Sequence, residues 1–382
     1  MKEQFSESEI AKMKESFDRH KAQLHVSIDE HVRSRSIELG QVLEKRAAIY
    51  LDQRYWIIVR DVILNRRTDS LSVNLANLLG DLVREGKIFC PISESVFVEL
   101  LKQLDLETRR STAKTIDELS LGVTLAPEQL RVGTELAHLF YSHGKQGSVY
   151  PLRWLVWSKL SYVLGVVHPT NTVFDPEQEL LIKKAFFDHM WDISIVKIVD
   201  ILGDSPVPPT NFDAVAEKLN KANAAHSNEI RSYKQAYTAE IGGALSLYIG
   251  VAREILESME EKASGVAPKL TEAQRQTHER ELLNFFVQEF RKSEIAKQLP
   301  TLHIHASCHA TIRWDKKRQL EGNDLYDFHH AAAALAYCDV FLTEKPLQSL
   351  LKMNHIALDS LFGCKVISAV REAVDCLKQY VG

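Results

Sequence analysis

The sequence predicts an α/β fold: a parallel sheet flanked by helices, with a large all-α insertion and an N-terminal helical arm. Three observations carry that expectation. Short apolar runs that suit buried parallel strands stand near both ends of the chain, at Ala47–Asp52, Ile88–Cys90 and Val340–Leu342, and each leads towards a helix. From Pro127 to Gln298 nearly every segment has helical periodicity instead. Residues 4–45 are mostly polar, with apolar residues at helical spacing (Phe5, Ile10, Met13, Phe17, then Leu24, Ile28, Val32, Leu39, Leu43). The divisions that follow are an arm over 1–45, a first α/β half over 46–125, an insertion over 126–299 and a second α/β half over 300–382.

Each element has a local reason. Ala47–Asp52 is an apolar run bounded by charge, as a central strand should be. Helices follow over Gln53–Asn65 and Leu71–Glu85, and Gly86 ends the second. Ile88-Phe89-Cys90 begins another strand, with Pro91 at its far end, and Ser93 is placed to cap the next helix. Residues 105–120 read as a solvated helix and Val123–Leu125 as a short strand. Within the insertion, breaks are expected at 144–151, 168–176 (with Asn171 and Thr172), 203–210 (with Pro206, Pro208 and Pro209) and 264–268. Its aromatic residues, including Trp157, Phe187, Trp191, Phe286 and Phe290, would supply a core. After a helix over Thr301–Trp314 and a charged loop, an alanine-rich helix (Phe328–Tyr337) leads into the strand Val340–Leu342. Pro346 starts the next helix, and Lys365–Ser368 is the last strand.

Composition sets outer bounds. Hydrophobic content of 45% and charged content of 26% are those of an ordinary globular protein. No apolar run is long enough to cross a bilayer, and the charged N-terminus lacks the apolar core of a secretory signal. The five cysteines stand mostly in apolar surroundings without a CxxC pair, which suits reduced, buried thiols in the cytoplasm. A net charge of −4 neither supports nor excludes a nucleic-acid partner, because a local basic rim can hold phosphate on an acidic protein.

The chemistry gathers in Asn323–Leu351. Asp324 and Asp327 lie where a helix should start, Asp339 at a strand entrance, and Thr343-Glu344 at that strand's exit. Carboxylates that converge on one sheet edge repel unless cations sit between them, and hard oxygen ligands suit Mg²⁺ or Mn²⁺. Asp52 ends the first strand, where open α/β sheets bind ligands, although Asp is also a good helix cap there. Glu99 lies among Phe97, Val98 and Leu100, with Glu94 as an alternative nearer the helix start.

Asp327-x-x-His330, then Asp339, then Thr343 resembles the C-terminal half of a PIN domain, a nuclease fold. Ala48-Ile49-Tyr50-Leu51-Asp52 and Ser93–Leu100 resemble its other parts. The resemblance covers roughly 46–125 and 296–382. It implies a metal-dependent endonuclease, with RNA as substrate, in which Asp52, Glu99, Asp327 and Asp339 meet around Mg²⁺ or Mn²⁺ and Thr343 orients water or phosphate. Glu344 is a further ligand. The chain departs from the family at Lys345, where members often carry Asp, so either Glu344 substitutes or one ligand is missing. A toxin role, with an inhibitor protein as partner, and a homo-oligomer are compatible with the family. The alternative is a non-catalytic PIN-like scaffold with a degraded acid set, and a third reading is a helical regulatory protein.

Arg313, Lys316, Lys317 and Arg318 precede the site and are the expected phosphate contacts; Arg109, Arg110 and Lys114 form a second basic patch. His305 and His309 stand one helical turn apart beside Cys308, but no third zinc ligand stands at recognisable spacing, which favours ordinary core or surface roles. His330, three residues after Asp327, is the histidine expected to face the carboxylates.

Overall fold

Two apolar runs from opposite ends of the chain pair side by side in the middle of a parallel sheet. A computed structural model describes residues 7–144, 149–170, 172–203, 212–292 and 295–381. The strands are β1 (Ala47–Leu51), β2 (Ile88–Phe89), β3 (Val123–Leu125), β4 (Trp157–Lys159), β5 (Val340–Leu342) and β6 (Lys365–Ile367). The main sheet has the order β2-β1-β5-β6 and is parallel throughout, with Ile49 opposite Val340 and Leu51 opposite Leu342. Residues 48–51 and 340–342 are fully buried, because helices cover both faces of this sheet. β3 pairs antiparallel with β4, a strand inside the stretch expected to be helical, and a bridge from Ile92 to Thr124 ties this pair to the main sheet.

The helices in chain order are α1 (Glu7–Lys21), α2 (Ile28–Leu43), α3 (Gln53–Ile63), α4 (Ser70–Arg84), α5 (Glu94–Leu101) and α6 (Leu106–Ser120). Then come α7 (Glu128–His143), α8 (Leu152–Leu155), α9 (Pro176–Trp191), α10 (Ile195–Leu202), α11 (Phe212–Ala225), α12 (Tyr233–Ser264) and α13 (Glu272–Arg291). The chain closes with α14 (Pro300–Trp314), α15 (Gly322–Ala334), α16 (Lys345–Leu351), α17 (Leu358–Phe362) and α18 (Val370–Leu377). Phe5, Asn171, Pro206, Pro208 and Pro209, singled out in the sequence, lie outside the described residues.

Local chemistry explains the boundaries, and some differ from expectation. Gly86 follows α4 at φ +73°, a conformation glycine adopts without a Cβ clash. α15 begins at Gly322, six residues before the expected Phe328, because the Asp324 carboxylate accepts the Glu321 N–H at 2.8 Å and caps the earlier turn. Gly322 also lets α11 approach, since a Cβ there would strike Asp213. Ser93 precedes α5 but leaves its cap unmade; its hydroxyl pairs with Tyr50 Oη at 2.6 Å. α6 is not solvated on every side: Thr112, Ala113, Ile116 and Leu119 are buried, and α3 and α10 pack against it.

Residues 126–299 divide their packing among three places. Ile195 and Val199 of α10, Ala216 of α11 and Trp157 of β4 join the core around the sheet. α7, α12, α13 and one face of α14 (Leu302, Ala306, Ala310) build a second core with Phe286 and Phe290. α9 instead supplies Phe187 and Trp191 to a small cluster against Ile28, Val32 and Leu39 of α2. The arm is thus folded onto the body, where Ser16, His20 and His31 all bond to Asp188 on α9. α14 joins two cores, since its other face (Ile304, Cys308, Ile312) packs on the sheet side. Among the described residues no helix is long and apolar enough to cross a membrane.

Candidate active site at the carboxyl edge of the sheet

β1 and β5 are parallel neighbours, so the residues that leave them stand together. Asp52 and Thr343 are those residues, and the Asp52 N–H bonds to Leu342 O at 3.0 Å. Asp52 also caps α3, accepting the Tyr55 N–H at 3.3 Å, so the cap role and a place in the site coexist. Glu344 follows Thr343 as the N-cap residue of α16. α15 packs over this edge and brings Asp327, Tyr326 and His330 from its first turns. Glu99 arrives from α5. Asp52, Glu99, Tyr326, Asp327, His330 and Glu344 line one cleft of about 440 Å³.

The electrostatics of this cleft are unbalanced. Burial pushes the Asp52 carboxyl up to about 6, against the pull of His330, the Thr343 hydroxyl and the Tyr55 N–H. Burial raises Asp327 to about 7; His330 opposes this, and the charges of Asp52, Asp324 and Glu344 add to it. His330 is the buried base among them. It bonds to Glu99 Oε2 at 2.9 Å and to Tyr50 Oη at 2.8 Å, and the Tyr50 hydroxyl continues to Ser93. Burial disfavours its imidazolium, yet Glu99, Asp52 and Asp327 outweigh that cost and lift its pKa. The Thr343 and Tyr326 hydroxyls are buried beside these acids without a hydrogen-bond partner of regular geometry.

Asp339 does not belong to this group. It precedes β5, at the amino edge of the sheet, where its carboxylate accepts the Ala48 N–H at 2.7 Å and pairs with Arg153 at 2.7 Å. Asp52 lies four residues beyond Ala48, roughly 13 Å away at about 3.3 Å per strand residue. The expectation that Asp52 and Asp339 share a cation is therefore corrected. The reason is topological: a helix that returns beneath a parallel sheet starts at the carboxyl edge and ends at the amino edge, so Asp327 and Asp339 sit at opposite ends.

The other expected residues sort as follows. Glu99 rather than Glu94 faces the cleft; the Glu94 carboxylate accepts the Glu128 N–H at the start of α7. Arg313 is paired with Glu240 and Arg318 with Asp324, so neither guanidinium is free to hold phosphate. Lys316 and Lys317 are exposed on the approach loop and do not line the cleft. In the second basic patch, buried Arg109 bonds to the carbonyls of Gln103 and Gly203, Arg110 pairs with Asp200, and exposed Lys114 stands 4.0 Å from Glu118. The cations that do line the cleft, Arg54 and Arg67, were not expected. Arg54 follows Asp52 by two residues on the same helix start, and that proximity was the available signal.

Asp52, Asp327 and Glu344 bring carboxylate oxygens to this cleft, the donor type that a hard divalent ion takes. Among the described residues, the triads whose donor atoms lie within 4.8 Å of one another are Glu128–His305–His329 and His20–His31–Asp188, and the cleft acids are not among them. No family model, curated protein or solved structure matches the chain.

Proposed function

We propose that the chain is a metal-dependent phosphodiesterase that cleaves RNA at the cleft between β1, β5 and α15. The observation that carries this reading is the pair Asp52 and Asp327. Both are largely buried at the edge where parallel sheets bind ligands, and burial, more than neighbouring charge, lifts both carboxyls. Such an arrangement costs stability unless a cation enters. Mg²⁺ or Mn²⁺ held by Asp52, Asp327 and Glu344 would supply a water of lowered pKa and counter charge on the phosphate.

The chain's own residues do the rest. Tyr50 and Glu99 fix both ring nitrogens of His330, which keeps positive charge directly behind the carboxylates. The Thr343 hydroxyl, one residue past β5, is fully buried and would act on a bound water only through the Asp52 carboxyl that it faces. Arg54 at the rim would hold a backbone phosphate beside the scissile one, and Arg67, 3.5 Å from Asp69, would have to leave that partner to hold another.

A non-catalytic scaffold is the second reading, and one observation favours it. Asp339 is used at the other edge and exposed Lys345 follows Glu344, so the cleft has fewer free acids than the resemblance implies. Cleavage of single-stranded RNA with Mn²⁺, by the wild type and by Asp327→Asn, decides between them. Cleavage by the wild type that is lost in the variant supports the enzyme. Equal cleavage by both removes the assignment, and a Mn²⁺-induced rise in melting temperature without any cleavage favours the scaffold.

A further inference from the structure

We propose a second cation site, for a divalent transition metal of the Zn²⁺ type, built from Glu128, His305 and His329. Glu128 opens α7, His305 lies on α14 and His329 on α15, so three separate helices deliver one ligand each. His305 Nε2 lies 2.8 Å and His329 Nδ1 2.6 Å from the same oxygen, Glu128 Oε2. The three donor atoms lie within 4.8 Å of one another. Zinc bonds of about 2.0–2.1 Å in a tetrahedron place ligand atoms roughly 3.4 Å apart, so modest side-chain rotation closes the set.

The surroundings hold these ligands in place. Glu94 accepts the Glu128 N–H at 3.0 Å and fixes the start of α7. The His329 ring stacks on Phe212, and His305 stacks on His309. The side chains of Glu128, His305 and His329 are 17%, 14% and 33% exposed, which leaves a path for an ion. Two imidazoles and one carboxylate favour borderline metals over Mg²⁺, and three protein ligands leave a position for water. The His20–His31–Asp188 triad is a weaker candidate. Its carboxylate already accepts from Ser16 as well as facing both rings, and it has a structural task in fastening α1 and α2 to α9.

The test is metal retention by the full chain. Protein stripped with a chelator is equilibrated with ZnCl₂, passed through a desalting column and assayed for bound metal. The wild type and Asp327→Asn are expected to keep a single equivalent each, with a higher melting temperature than the stripped protein. His329→Ala and Glu128→Gln, both checked for native circular dichroism, are expected to lose it. Zinc absent from the wild type, or kept by both folded ligand variants, overturns the site. Zinc lost in Asp327→Asn but kept in His329→Ala overturns it too, by moving the ion to the carboxylate cleft.

Discussion

Two adjacent histidines on α15 serve clusters of opposite character. His330 faces Glu99, Asp52 and Asp327, and burial lifts the pKa of Asp52 and of Asp327. His329 shares Glu128 with His305, and there bases outnumber the acid. Burial alone would raise the Glu128 carboxyl, but the two rings hold it well below the usual range. One helix thus separates a carboxylate-rich cluster from an imidazole-rich one, and on the proposals above the first would take a hard cation and the second a borderline metal. The difference shows that charge balance, rather than the mere presence of acids, decides what each cluster asks for.

The largest expected effect falls on the acid side. Asp327→Asn should lower RNA cleavage by about 10³-fold, the scale on which losing one preorganised electrostatic contact at a reacting centre is felt. The same substitution should raise the melting temperature of metal-free protein above pH 7, because it removes excess buried charge. A fall in both activity and stability would mean that Asp327 is a structural residue.

The pH dependence of stability separates the two clusters by sign. Asp52 and Asp327 have folded pKa values of about 6 and about 7, above the ordinary 3.8, so the folded chain binds more protons. Their contribution to stability falls as pH rises from about 4 through about 7, and the loss is roughly 1.4 kcal/mol for every pH unit that separates a folded pKa from its unfolded value. Glu128 behaves in reverse: its contribution is present above the ordinary value of 4.5 and is lost as pH falls through its depressed pKa. Denaturant melts without metal should show the first loss between pH 4 and 7, and Mn²⁺ should diminish it. Glu128→Gln should soften the acid limb alone.

Smaller effects test the sheet edges and the rim. Asp339→Asn should cost about 1 kcal/mol or less, because its amide oxygen can still accept the Ala48 N–H and the Arg153 pair it loses is half exposed, and it should leave cleavage unchanged. A loss of cleavage in the folded variant would return Asp339 to the site. Arg54→Ala with Arg67→Ala should reduce the slope of RNA affinity against salt by about 1 per residue, whereas Lys316→Ala with Lys317→Ala should change it little. Equal slopes for the two pairs would contradict the assignment of the rim.

Much of this was legible in the sequence. The strands Ala47–Leu51 and Val340–Leu342 stand out as apolar runs, and the acids that leave or overhang them, Asp52, Asp327 and Glu344, follow from strand exits and a helix start. Glu99 was legible as an acid amid apolar neighbours, and His330 by its place three residues after Asp327. The error at Asp339 was avoidable, since an α-helix that joins parallel strands carries the chain from one edge to the other. What was not legible depends on distant packing. Nothing in the spacing of Glu128, His305 and His329 shows that α7, α14 and α15 converge. Nor does a run such as Arg313–Arg318 show that two of its four cations are already paired with Glu240 and Asp324. The strand β4 was hidden because its three residues are too few for a period to declare itself.

Crystals soaked in MnCl₂ and measured at the manganese absorption edge test the divalent site most directly. A strong anomalous peak between the carboxylates of Asp52 and Asp327, within bonding distance of Glu344, is the predicted result. No peak in that cleft, or manganese confined to Glu128, His305 and His329, would contradict it.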